Sequence, residues 1–148
     1  MNSCGDKKTA AVAEQSSLPV FEFGRQDSLD IRALAEDYMS RFNAGNFESA
    51  ADLLFTVSND SIHPLTDEQR MGYITAMQAL PQFGCVLREL ALYSDRDNEL
   101  RLAIKMDPNA DADHDKGTIN FFLNPIQVDG KWYLTLLSEY AEGVGLYH

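Results

Sequence analysis

Apolar positions recur with two different periods, which divide the chain into a helical first half and a stranded second half. Between residues 29 and 43 they recur at spacings of three and four, the pattern of one face of an amphipathic helix. Asp27 or Ser28 precedes this run and is predicted to cap it. The apolar face of this first helix comprises Ile31, Leu34, Ala35, Tyr38, Met39 and Phe42.

Two further helices are predicted before residue 85. Asn46 can cap a second helix, whose apolar positions are Phe47, Ala50, Ala51, Leu54 and Phe55. Residues 56–65 are polar and contain Pro64, so a loop with a short strand near 61–62 is predicted. Thr66 and Gln69 have the spacing of a capping box and predict a third helix over 67–80. Its inward residues are expected to be Met71, Ile74, Met77 and Leu80.

From Cys85 onward the apolar period changes to two, which predicts strands. Four strands are expected, at residues 85–93, 99–106, 118–128 and 131–138. Asp129 and Gly130 are typical of a two-residue hairpin turn. The sequence therefore predicts an α+β fold with three N-terminal helices on a curved antiparallel sheet of about four or more strands. Residues 139–148 are expected to cover a sheet edge.

The 148 residues suit one domain of ordinary globular composition. Residues 27–148 are predicted to form it, and residues 1–26, rich in Ala, Ser, Gln and Lys, to form a flexible tether. The net charge of -11 repels phosphate backbones, and no basic stripe is visible, so a nucleic-acid partner is not expected. No stretch approaches the roughly 18 apolar residues that span a bilayer.

The N-terminal residues Met1 to Gly5 resemble the processing junction of a bacterial lipoprotein, in which a small residue precedes the cysteine that receives lipid. This resemblance implies lipidation at Cys4, a location at the bacterial cell envelope, and contact with the membrane only through that anchor. The alternative is an ordinary tail cysteine on a cytoplasmic protein. The second cysteine, Cys85, is expected to be a small buried hydrophobe.

Two junctions resemble the nuclear transport factor 2-like superfamily. One is the run from Tyr38 to Glu48, where an aromatic helix end is followed by Asn-Ala-Gly and a second amphipathic helix. The other is the closing hairpin from Val128 to Tyr133, which carries Asp-Gly-Lys-Trp. The resemblance implies a curved sheet around a helix and a conical cavity that many members use for small ligands.

That superfamily includes ketosteroid isomerase, whose catalytic tyrosine corresponds to Tyr38 when Asn-Ala-Gly is aligned. The position of the catalytic base falls at about Ile62 and His63, so that no acid is present there. The strand that should supply a protonated acid carries Asn120 and Asn124 instead. Isomerase chemistry of that type is therefore not expected, and no catalytic residue is assigned.

The resemblance leaves a ligand pocket as the main expectation. Its candidate residues are Tyr38, His63, Asn120, Phe122 and Trp132. Tyr38 has an alternative role as a buried core residue with a satisfied hydroxyl group. Another alternative is an enzyme in which Tyr38 and His63 transfer protons. No cofactor is expected.

The acidic segment 107–117 has a partial likeness to a calcium loop, with Asp111, Asp113 and Asp115 at ligand spacings 1, 3 and 5. However, Lys116 stands where glycine is required, and Phe122 stands where the bidentate glutamate belongs. A solvated loop is predicted and no metal site is assigned; weak cation binding is the alternative.

The predicted strands also place a second set of apolar residues opposite the core face. These residues are Val86, Leu90, Leu92, Phe122, Tyr133 and Leu137. A sheet face of this kind usually contacts something, and family members commonly dimerise through it, so a homodimer is expected. Strand twist could instead turn some of them into the cone. The leading hypothesis is a non-catalytic envelope lipoprotein domain that binds a small apolar ligand or a protein partner. A purely structural dimerisation module is a further alternative.

Overall fold

The computed structural model describes residues 24–137. The tether through residue 23, the lipidation site Cys4 and the segment 138–148 lie outside the described residues. The first helix, α1, spans Arg25–Asn43 and begins earlier than predicted. Gly24 is its N-terminal cap residue, and Asp27 lies inside the first turn, where its carboxylate accepts the Gly24 backbone N–H at 2.8 Å. The prediction of Asp27 or Ser28 as cap is therefore wrong, because Asp27 serves the helix from its third position.

The second helix is shorter than predicted. α2 spans Phe47–Ala51, and its predicted cap is confirmed, since the side chain of Asn46 accepts the Ser49 backbone N–H at 3.1 Å. Leu54 and Phe55 were assigned to this helix, but they begin strand β1, Leu54–Ser58. Their spacing suits either element, and strand pairing on both sides decides in favour of the strand.

The predicted loop 56–65 is largely a hairpin. β1 pairs antiparallel with β2, Ser61–Pro64, across a turn at Asn59 and Asp60. Both turn residues have positive φ, 53° and 63°, as two-residue hairpin turns of the primed type require. Asparagine and aspartate tolerate this conformation better than other non-glycine residues, which explains why the chain reverses here.

The third helix, α3, spans Asp67–Gln78, and its capping box is confirmed. The Gln69 backbone N–H donates to Thr66 Oγ1 at 3.1 Å, and the Thr66 N–H donates to Gln69 Oε1 at 2.9 Å. The inward face is rotated from the predicted one, since Met71 is 65% exposed whereas Tyr73 is buried. The buried stripe thus runs through Tyr73 and Met77, four residues apart.

Four more strands complete a six-stranded sheet with the order β2-β1-β6-β5-β4-β3. They are β3 (Cys85–Leu92), β4 (Asn98–Lys105), β5 (Thr118–Val128) and β6 (Lys131–Leu136). The hairpin turn at Asp129 and Gly130 is confirmed, with φ of 53° and 80°. Neighbouring strands are antiparallel except β1 and β6, which run parallel, so the sheet is mixed where a purely antiparallel one was predicted.

The core lies between the helices and one face of this sheet. From the helices it includes Ala35, Tyr38, Phe42, Phe47, Tyr73 and Met77. From the sheet it includes Leu54, Cys85, Leu100, Leu102, Ile104, Phe121, Leu123, Leu134 and Leu136. We call the side of the sheet that packs against the helices the core face, and the opposite side the outer face.

An irregularity in β3 changes which of its residues lie on the core face. The pairing of β3 with β4 shifts between Leu87 and Glu89, the signature of a β-bulge. Beyond it, Leu90 pairs with the buried Leu100 and packs against the core, and Leu92 lies on the same side. The assignment of Leu90 and Leu92 to the outer face is therefore wrong, because the extra residue inverts the alternation.

Candidate functional site

Tyr38 lies in the centre of the core and its hydroxyl group has a partner. The oxygens of Tyr38 and Tyr73 are 2.5 Å apart, with Tyr38 0% and Tyr73 6% exposed. The ring of Phe121 stacks on Tyr38 with centroids 6.2 Å apart. Burial raises the pKa of Tyr38 well above its ordinary value and also raises that of Tyr73. At neutral pH both are therefore neutral phenols that hydrogen-bond each other.

Cys85 lies next to this pair, and burial raises the pKa of its thiol to about 12. A buried neutral thiol is a weak nucleophile, because the reactive form is the thiolate. The prediction of a small buried hydrophobe at Cys85 is confirmed.

His63 lies in a different environment from Tyr38. It is exposed on β2, which is one of the two edge strands of the described sheet, and pairs across the hairpin with Thr56. The contacts described for Tyr38 are with Tyr73, Phe42 and Phe121. The structure therefore does not bring together the two residues that proton transfer would require.

Asn120 and Phe122 lie on the outer face of β5. Asn120 is exposed and pairs with Ala103, while Phe122 is half-buried and pairs with Arg101. Because side chains alternate along a strand, both point away from the core, which the intervening Phe121 enters. They do not share an environment with Tyr38.

Trp132 fixes the start of α1 to the sheet. Its indole N–H donates to Asp27 Oδ1 at 3.0 Å, and Gln127 Nε2 donates to the same oxygen at 3.3 Å. The hydrogen bond from Trp132, with that from Gly24, holds the pKa of Asp27 below its ordinary value. Trp132 also borders a cleft of about 430 Å³ beside Leu34, so that it is a neighbour of α1.

A second cleft, of about 490 Å³, lies near the end of β6. Arg96 reaches across from the β3–β4 turn, where its Nη2 donates to the Asp60 carbonyl at 3.2 Å. The lining combines hydroxyl, amide and apolar groups: Thr56, Val57, Ser58, Asp60, Gln69, Arg96, Asn124, Ile126, Thr135, Leu136 and Leu137. Sequence reasoning missed this cleft because its residues come from five separate segments without a common spacing.

The acidic segment folds over β3 through a short 3₁₀ helix, Ala112–His114. Its aspartates are engaged separately: Asp111 with His114, Asp113 with Arg88, and Asp115 with Arg101. Within residues 24–137, no group of three or more His, Cys, Asp or Glu residues is arranged to hold a metal ion. In the same range, no helix is long and apolar enough to cross a membrane.

Comparison with known proteins is informative for the fold alone. No protein-family model matches the chain, and no curated protein matches it. A cystatin-like-fold protein of unknown function from Nostoc punctiforme is 17% identical, with 78% of this chain and 91% of that one covered and a TM-score of 0.51. The chain has a cystatin-like fold.

Two further solved structures are similar to this chain. A nuclear transport factor 2-like protein of unknown function from Shewanella oneidensis is 19% identical, with coverage of 74% of this chain and 94% of that one and a TM-score of 0.45. A de novo designed protein with a curved β-sheet is 9% identical, with coverage of 81% and 93% and a TM-score of 0.45.

Proposed function

We propose that this chain is a non-catalytic binding domain that acts through the outer face of its sheet. The observation that carries this proposal is the filled interior around Tyr38, where the resemblance implies a ligand cavity. Tyr38, Tyr73 and Phe121 pack there against one another, and the two hydroxyl groups bond each other. The hypothesis of an enzyme using Tyr38 and His63 has less support, because one residue is buried and the other is exposed on an edge strand.

The surface that we propose for binding is a group of apolar side chains on the outer face near the sheet edge. This outer patch consists of Phe55, Val57, Ile62 and Tyr133. Val57 is 42% exposed and pairs with Ile62 across the β1–β2 hairpin. The rings of Phe55 and Tyr133 meet edge to face, with centroids 5.0 Å apart. Apolar side chains grouped on a surface in this way commonly mark an interaction site.

The partner that we propose for the outer patch is a second copy of the chain. Such a dimer fits the expectation from the family resemblance, although Tyr133 is the one residue of the outer patch that was also predicted for that face. Its four side chains are few beside the roughly 20–30 residues that a stable interface uses on each partner, so we expect a dimer that dissociates on dilution. The charge of -11 on each copy opposes association, and salt screens this repulsion.

The experiment is sedimentation velocity of the full chain over a wide range of concentration and at two salt concentrations. We expect a monomer–dimer equilibrium that shifts toward the dimer as salt is added. Val57→Asp should abolish the dimer, because it puts one carboxylate of each copy into an apolar contact. Met71→Asp is the matched control, since Met71 is exposed on α3. A chain that stays monomeric, or a dimer that Val57→Asp leaves intact, would refute the proposal.

We further propose that the domain is held at the bacterial envelope by lipid on Cys4. The support is the residue pattern around Cys4, which lies outside the described residues. The test is fractionation of native cells followed by mass spectrometry of the N-terminal peptide. We expect a lipid-modified Cys4 in the membrane fraction and release of the protein by Cys4→Ser. An unmodified peptide from the cytosol would contradict this part of the proposal without affecting the outer patch.

A small-molecule ligand is a second candidate, and the cleft of about 490 Å³ near the end of β6 favours it. Its apolar wall includes Ile126 and Leu136, beside the hydroxyl groups of Thr56 and Thr135. Titration with an apolar dye, followed by NMR, should then shift the methyl signals of Ile126 and Leu136. If these signals stay unchanged, the cleft is not a binding site for apolar ligands.

A further inference from the structure

A different part of the surface contains an arginine whose hydrogen-bonding capacity is incompletely used. Among the described side chains, Arg88 Nε is the one buried nitrogen or oxygen atom without a hydrogen-bond partner. Within residues 24–137, its guanidinium group is held by Asp113 alone, with Nη1 3.3 Å from Oδ1 and Nη2 3.4 Å from the backbone carbonyl. Both distances are long for charge-assisted hydrogen bonds, and the Asp113 side chain is 86% exposed. Asp113 can therefore leave Arg88 at little cost.

Arg88 lines a cleft of about 350 Å³ between β3 and the acidic segment. It stands at the β-bulge of β3, a feature that re-aims side chains and is common next to binding sites. Lys105 supplies a second positive charge, and Val86, Ala110 and Ala112 supply apolar surface.

Two carboxylates also border this cleft and limit what it can bind. Asp111 is neutralised in part, because its Oδ2 lies 2.7 Å from His114 Nδ1 and its Oδ1 accepts the Asp113 backbone N–H at 3.1 Å. Asp113 is the group that a ligand would replace on Arg88. A dianion such as phosphate would meet strong repulsion from these groups and from the net charge of -11, whereas a monoanion would meet less.

We propose that this cleft is a binding site for a small organic carboxylate with a short hydrocarbon body. The carboxylate accepts hydrogen bonds from Arg88 Nε and one Nη in the planar fork that guanidinium groups form with carboxylates. Lys105 adds a second charge contact, and the hydrocarbon body contacts Val86, Ala110 and Ala112. The ligand thus supplies the acceptor that the buried Nε lacks. This site is independent of the outer patch.

The test is NMR titration of the full chain with propanoate and, separately, with inorganic phosphate at constant ionic strength. We expect propanoate to shift the Arg88 Nε–H signal with a saturable curve, and phosphate to bind at least several-fold more weakly. Arg88→Lys keeps the charge but loses the fork, and should weaken propanoate binding by about tenfold or more. Arg32→Lys, at an exposed position of α1, is the matched control and should have no effect.

Two further variants keep the proposal testable if Arg88→Lys is poorly folded. Lys105→Met should weaken propanoate binding, whereas Asp113→Asn should strengthen it, because the competing carboxylate is removed. The proposal is overturned if the Arg88 Nε–H signal does not respond to propanoate, which would mean that the cleft holds water only. It is also overturned if phosphate binds more tightly, or if Asp113→Asn weakens binding.

Discussion

The hydroxyl groups of Tyr38 and Tyr73 allow a quantitative test of the filled interior. Removing one partner of a buried hydrogen bond leaves the other unsatisfied and costs about 1–3 kcal/mol, whereas replacing both by apolar groups of the same shape can be nearly neutral. Tyr73→Phe leaves the hydroxyl of Tyr38, which is 0% exposed, without its hydrogen-bond partner, so we expect a loss of about 2–3 kcal/mol of unfolding free energy. Tyr38→Phe leaves the hydroxyl of Tyr73 without its partner, but Tyr73 is 6% exposed and lies closer to solvent, so we expect a loss of about 1–2 kcal/mol of unfolding free energy.

The double variant Tyr38→Phe/Tyr73→Phe should lose clearly less stability than the sum of the two single variants. Both rings keep their packing against Phe121, so only the mutual hydrogen bond is removed. We expect a coupling free energy of about 1–3 kcal/mol between the two sites. Urea unfolding measures it, with the fluorescence of Trp132, the single tryptophan of the chain, as the probe.

Tyr93→Phe is the matched control for this cycle, since Tyr93 is exposed and should change stability by no more than about 0.5 kcal/mol. Single losses that simply add in the double variant would refute the reasoning, because they would show that the two hydroxyl groups do not depend on each other. A larger loss for Tyr38→Phe than for Tyr73→Phe would show that solvent reaches the centre of the core. Either result would reopen the hypothesis of an interior ligand cavity.

Three further predictions concern titrating groups. Because the pKa of Asp27 is lowered, its stabilising contribution is complete above its ordinary pKa of 3.8 and is lost as the pH falls through the lowered value. When the urea midpoint of unfolding is measured against pH, Asp27→Asn should therefore make the midpoint fall less steeply at acid pH. The raised pKa of Cys85 acts in the opposite direction: the contribution of this thiol to stability is complete below pH 9.0 and is lost as the pH rises toward about 12. In native protein at pH 8, peptide mass spectrometry should therefore show no alkylation of Cys85 until urea is added. The carboxylate of Asp111 raises the pKa of His114 above 6.5, so Asp111→Asn should lower it, as an NMR titration of the His114 ring measures, and an unchanged pKa would contradict the contact.

The parts of the fold that depend on local chemistry could be predicted from the sequence. The capping box of Thr66 and Gln69 and the hairpin turn at Asp129 and Gly130 were both predicted and are confirmed, since each depends on residues close together in the chain. Leu54 was misassigned because its spacing fits a helix equally well, and only pairing with Leu134, far away in sequence, makes it a strand residue.

The candidate site was less predictable for the same reason. Tyr38 was identified as a core tyrosine in one of two hypotheses, but its partner Tyr73 was missed, because the stripe through Met71 hid the actual orientation of α3. The β-bulge turns Leu90 inward and places Arg88 at the rim of a cleft. The alternation of apolar and polar residues along β3 alone does not predict it. Such features follow from contacts between distant segments.

The central claim is that this domain binds through its outer face while its interior stays closed. The most direct test is a dilution series of the full chain followed by side-chain NMR. We predict that the signals of Phe55, Val57, Ile62 and Tyr133 move together with concentration, while those of Tyr38 and Tyr73 stay fixed. Signals of the outer patch that do not change at any concentration, or changes confined to Tyr38 and Tyr73, would contradict the claim.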